Sequence, residues 1–243
     1  MSLTNKTFVE MLQVQVKFKL HAYLGMVTYL IILQVVGMLL SLVSSSTMSL
    51  GSDIVDVNFS IFRTTMVLVL SCFWSFYIGM LMMRHDQRAD IMPFVTTRTM
   101  SSASDSIVLA IIAIFAGITT MLSNYVVRII VMLKSNQNII AMEDVFNAPG
   151  IFLKNIAAFI VVILCVASVG YFFGMIMQKS KLVMCIISAS CFSMLFTELG
   201  QEILLSIRQL GMHPILYFAV NLLTSAILFI LSAMMANNLE VRG

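Results

Sequence analysis

The sequence predicts an all-α membrane protein: six transmembrane helices, an N-terminal interfacial helix, and a short amphipathic or re-entrant helix between spans five and six. Three observations carry that expectation. Hydrophobic residues make up 60% of the 243 and charged residues only 10%, against ~45–50% and ~25% in a typical soluble domain. The apolar residues gather into six runs, most of them as long as the ~20 residues a bilayer-crossing helix needs. The connections between runs leave no room for a separate soluble domain, so residues 1–243 read as a single transmembrane domain. The same figures exclude a soluble globular protein, a disordered chain, a collagen-like chain and a disulfide scaffold.

In chain order, the first segment is residues 5–20. Leu12-Gln13-Val14-Gln15-Val16-Lys17-Phe18-Lys19-Leu20 alternates like a strand. A lone strand at a membrane has no partner for its backbone groups, whereas a helix satisfies them internally. An interfacial helix is therefore the favoured reading, with Lys17 and Lys19 toward lipid head groups. Its polar residues split into two groups on the helical wheel. The spans are expected at about 22–43, 60–83, 107–133, 151–177, 182–197 and 214–235. The first run is too long for the ~7–15-residue core of a signal peptide and is expected to remain as a span. Between spans five and six, Leu199, Ile203, Ile207 and Leu210 recur at helical spacing, with Glu202 and Arg208 on other faces. That pattern predicts one or two short helices on, or dipping into, the outer side. In span four, Gly170 and Gly174 form a GxxxG, read as close helix packing.

Lys and Arg set the orientation. With the N-terminus inside, nine basic residues fall on the inner side and five on the outer. Several of the outer five, Arg63, Arg128 and Lys154 among them, sit at span ends from which they can snorkel. Both termini are expected in the cytoplasm, with the protein multi-pass in the cell membrane. The longest inner connection, residues 84–105, is the densest polar stretch of the chain. Pro93 breaks any helix leaving the membrane there. Ile91, Met92, Phe94, Val95 and Met100 are apolar residues in this polar loop and call for a cover: lipid, a partner protein docked on the loop, or the chain's own helix ends with the loop folded back on them.

The interfacial segment, the six spans and the stretch Met92-Pro93-Phe94-Val95-Thr96-Thr97-Arg98 together resemble the ABC-2 family of ABC transporter permeases. The likeness covers nearly the whole chain in layout, on a short motif. It implies that Asp90, Met92, Pro93, Phe94, Val95 and Arg98 form a coupling element docked on a cytosolic ATP-binding subunit. It implies a second permease subunit, identical or different. It also implies that ATP and magnesium belong to the partner chain, with no cofactor in this one. The serines that follow (Ser101, Ser102, Ser104, Ser106) depart from relatives that run quickly into an apolar span. Family layout places spans one, two and five along the central path between two permease subunits. Phe73, Trp74, Phe76, Tyr77, Phe192 and Phe196 are the candidate lining, with plain bundle core as the competing reading of the same residues. Such a lining suits a hydrophobic or amphipathic cargo, and family habit favours a peptide over a small drug or a lipid.

Nothing in the chain predicts an enzyme. It has no GxxxxGK[ST] phosphate loop, no GxGxxG, no HExxH and no GxSG. No dense basic run points to nucleic acid. Cys72, Cys165, Cys185 and Cys191 lie in apolar runs with no metal-type spacing. No carboxylate is placed near a span's middle, which weighs against an ion-coupled carrier. The alternative to an exporter subunit is a stand-alone secondary transporter, or a channel or scaffold protein.

Overall fold

The computed structural model describes residues 8–43, 46–52, 55–61, 65–83, 98–134, 149–179 and 214–238. They form five helices and one hairpin: α1 (Phe8–Val43), β1 (Ser46–Ser52), β2 (Val55–Ile61), α2 (Thr65–Met82), α3 (Arg98–Lys134), α4 (Pro149–Lys179) and α5 (Pro214–Asn238). Four helices are long and apolar enough to cross a membrane: Val9–Leu42, Met100–Val127, Phe152–Gln178 and Ile215–Met235. Met66–Met82 is apolar but shorter. The fold is thus helical and of membrane type, with four long candidate spans rather than six among the described residues. The stretches expected as span five (182–197) and as the short helix after it lie outside those residues.

Three boundaries differ from expectation, each for a physical reason. No break separates an interfacial helix from span one; α1 is continuous through both. The strand-like alternation at residues 12–20 instead sets two faces of one helix. Gln15 and Lys19, four apart, are buried, while Gln13 and Lys17, also four apart, are exposed. Before α2, β1 and β2 pair antiparallel with Ser46 opposite Ile61 and Ser52 opposite Val55. Val55, Val57, Phe59 and Ile61 alternate with Asp56, Asn58 and Ser60, the two-residue period of a strand. Span two therefore begins at Thr65 rather than 60. Lastly, α3 begins at Arg98 rather than near 107, so the serine-rich stretch is helical. Its hydroxyls fold back on the helix: Ser104 Oγ donates to the Ser101 carbonyl at 2.7 Å and Ser106 Oγ to the Ser102 carbonyl at 3.0 Å. This back-bonding lets serine sit inside a helix.

The chain divides into two compact units. The first comprises Met1–Tyr23, Ser75–Ile111 and Leu164–Gly243. Within it α2 and α4 meet backbone to backbone. A Cβ added at Gly170 would run into the Phe76 carbonyl, and one at Gly79 into that of Ala167. Gly174 is also close, though less so, with a virtual Cβ 2.9 Å from the Met80 carbonyl. Phe76 and Phe173 pack beside this seam, centroids 5.9 Å apart. The GxxxG of α4 is thus a helix contact, as small residues in membrane helices allow. α4 also packs on α5: Cys165 Sγ lies 3.5 Å from Thr224 Oγ1, and the Tyr171 and Phe229 rings are 5.6 Å apart. Both contacts advance toward the C-termini together, so α4 and α5 run in the same direction.

The second unit comprises Leu24–Trp74 and Ile112–Ile163. Here α1 approaches α2 at Gly37, whose virtual Cβ is 3.1 Å from Val67 Cα. α3 approaches α4 at Gly117, whose virtual Cβ is 2.9 Å from the Ile160 nitrogen. Tyr125 and Phe152 close one end edge to face, centroids 5.6 Å apart.

Candidate functional site

Lys19 of α1 is the most conspicuous buried charge, 1% exposed. Its Nζ donates to Asp105 Oδ1 on α3 at 2.6 Å and to Ser104 Oγ at 2.6 Å. The Ser101 carbonyl and Oγ lie at 3.1 and 3.2 Å. An ammonium has three hydrogens, and these four oxygens accept them all. Ser101, Ser104 and Asp105 share one face of α3 because they stand three and four residues apart. The second carboxylate oxygen of Asp105 accepts from the Tyr171 hydroxyl of α4 at 3.2 Å. Three helices thus meet at one buried, hydrogen-bonded ion pair. Such pairs are costly to bury and still more costly to break.

The helices place this pair along their length. About 35 Å of α1 separates Lys19 from Leu42, and about 33 Å of α3 separates Asp105 from Val127, at ~1.5 Å per residue. Both distances exceed the ~30 Å thickness of a hydrocarbon core. The pair therefore belongs near an end of its spans, not at their middle. A carboxylate does lie within an apolar span, where the sequence reading placed it in a loop. Lys19 likewise points to protein rather than to lipid head groups.

A second polar group lies in the other unit. Gln34 Nε2 of α1 donates to Thr119 Oγ1 at 3.0 Å and Thr120 Oγ1 at 3.2 Å on α3, and reaches Ser71 Oγ of α2 at 3.4 Å. Thr120 Oγ1 donates to Ser71 Oγ at 3.1 Å. Uncharged bonds of this kind join membrane helices and carry no chemistry of their own. An open groove of about 770 Å3 runs among α3, α4 and α5, bordered by Ser106, Ile107, Leu164, Leu222 and Phe229. Its walls are almost wholly apolar, so it offers dispersion contacts and no charge. Among the described residues no cluster of His, Cys, Asp and Glu is arranged to hold a metal ion.

The expected site residues fare unevenly. Asp90, Met92, Pro93, Phe94 and Val95 lie outside the described residues, as do Phe192 and Phe196. Arg98 is the first residue of α3. The four α2 aromatics differ in exposure. Trp74 is 4% exposed, and Phe76 is half-buried against Phe173. Phe73 and Tyr77, four residues apart, are 69% and 53% exposed. Sequence reasoning missed Asp105, Ser101, Ser104 and Tyr171 as a group and gave Lys19 the wrong surroundings. The signal was present in two places: the Gln15/Lys19 pair on one wheel face, and the 101/104/105 spacing once the serines are read as helical.

Fold and site together define a helical membrane protein with a buried charge pair joining α1, α3 and α4. Comparison with protein-family profiles, curated proteins and solved structures gives no match to this chain.

Proposed function

We propose that the chain is the membrane subunit of an ATP-driven ABC exporter of the ABC-2 kind. It pairs with a second permease subunit in the cell membrane and moves a hydrophobic or amphipathic cargo, with a peptide as the favoured class. ATP hydrolysis, with its magnesium, belongs to a separate cytosolic subunit. The observation that supports this most is the position of the ion pair. Residues 84–97 enter α3 at Arg98, and two turns later Asp105 is bound to α1 and α4. A subunit docked on residues 84–97 would therefore push on a rigid three-helix joint. Rocking of helices under such a push is a common route to alternating access.

The six-span layout belongs to the same proposal. α4 and α5 run in the same direction, yet α5 follows α4 in the chain. Of the residues between them, the run 182–197 is the one whose composition suits a further crossing of lipid. Orientation follows the basic residues, with both termini and residues 84–97 in the cytoplasm. Glu substitutions at Phe94 and Arg98 test the docking. Each is expected to abolish ATP-dependent activity of the purified complex and to release the ATP-binding subunit. Full activity with both substitutions contradicts the proposal.

One observation favours a second reading, a stand-alone secondary transporter: Asp105 is a carboxylate buried within an apolar span, where ionisable residues often mark ion or proton paths. Its place near a span end and its complete pairing weigh against that role. Transport that continues without ATP and stops on collapse of the proton gradient would establish it.

A further inference from the structure

The first turns of α1 carry two unlike faces. Val9, Met11, Val14 and Phe18 are exposed beside Glu10, Gln13, Lys17 and His21, whereas Gln15, Lys19 and Tyr23 are buried at successive four-residue steps and Leu12, Val16 and Leu20 are half-buried. The buried face therefore carries two polar side chains, one of them charged, where apolar packing is the usual fastener of a helix. This stretch is tied to α3 by the set of bonds around Lys19: three ammonium hydrogens on oxygens of Ser101, Ser104 and Asp105, all from α3, with Asp105 held in turn by Tyr171 of α4. Residues 1–23 also belong to the same compact unit as residues 75–111, whereas α1 from Leu24 onward belongs to the other.

We propose that Lys19 and Asp105 form a clasp that makes residues 8–23 of α1 and the first turns of α3 move as one piece, so that a push delivered at the start of α3 reaches α1. Parting the two helices would separate a buried ammonium from a buried carboxylate. The clasp is far harder to slide than an apolar contact, which can slip along a helix at little cost. The clasp itself stands on the geometry; its use in transport rests on the exporter proposed above.

Amide hydrogen exchange on the full chain in detergent tests it. K19M keeps the length of the side chain and leaves Asp105 without its cation. Exchange at residues 8–23 is expected to rise by about tenfold or more, while residues 24–43 stay within about twofold. K19M/D105N removes both charges and is expected to restore most of the lost protection. Unchanged exchange at residues 8–23 in K19M, or a loss spread evenly along α1, overturns the clasp. If K19M does not fold, the unmodified chain decides. Matching protection at residues 16–23 and 101–108 supports the single piece, and α1 exchanging about tenfold or more faster than α3 overturns it. No ATP-binding subunit is needed for either measurement. Failure here leaves the exporter proposal standing, and failure of that proposal leaves the clasp standing.

Discussion

Tyr171 and Gln34 show how single polar side chains act in this molecule. The Tyr171 hydroxyl is bound to an ionised carboxylate in a buried place, and hydrogen bonds to charged groups contribute about 1.5–3 kcal/mol. Tyr171→Phe is expected to destabilise the purified protein by that order, while the ring contact with Phe229 is kept. Unfolding in detergent, monitored by circular dichroism, measures it. Gln34→Leu removes an uncharged donor shared among hydroxyls and is expected to cost less, about 0.6–2 kcal/mol, by the same measurement. At this scale the sequence was a partial guide. Lys19 and Asp105 were visible as charges, but charge alone does not say whether a side chain near a span end faces water, lipid or protein. That depends on the helix face, and the face depends on where the helix begins. Reading Ser101–Ser106 as loop hid the spacing that gathers Ser101, Ser104 and Asp105.

The helices themselves were more legible. The limits of α4 and α5 follow directly from the lengths of their apolar runs, since nothing polar competes at their ends. The starts of α2 and α3 do not, because alternation in residues 55–61 and serine back-bonding in residues 101–106 are local effects that an apolar count ignores. The GxxxG of α4 did predict a close contact, and the partner is α2 at Phe76–Met83. Gly170→Ala is expected to force α2 and α4 apart, with a cost of about 1–3 kcal/mol from overpacking. Gly25→Ala is the control. Nothing stands within 4 Å of a Cβ there, and replacing a helical glycine by alanine gains about 0.5–1 kcal/mol. Thermal unfolding of the two variants side by side should therefore move in opposite directions.

Across the whole molecule, composition alone was enough to place the chain in a membrane, because 10% charge cannot clothe a soluble surface. The faces of its helices follow from the same solvent. In α1 the buried side holds the polar Gln15, Lys19, Gln34 and Ser41 beside Tyr23 and Leu30, and many apolar residues, among them Val9, Val14, Leu24, Ile32 and Leu39, are exposed. The two polar groups of residues 12–20 fall on two faces of one helix, Gln13 and Lys17 exposed and Gln15 and Lys19 buried, so the expectation of head-group surroundings fails for Lys19. The aromatic residues of α2 differ in surroundings, with Phe73 and Tyr77 exposed and Trp74 buried, a difference that their number in the sequence does not convey. The candidate docking residues 90–95 rest on the motif and on its connection to the joint at Asp105. Topology is open to a direct check: after removal of the native cysteines, Ala89→Cys is expected to react with an impermeant maleimide from the cytoplasmic side only.

The most direct test of the central claim is the composition of the native complex. The tagged chain, purified from its own membranes in mild detergent, is predicted to bring with it a Walker-motif ATP-binding subunit in stoichiometric amount, released by Phe94→Glu. A chain that purifies intact and active with no ATP-binding protein attached would contradict the account.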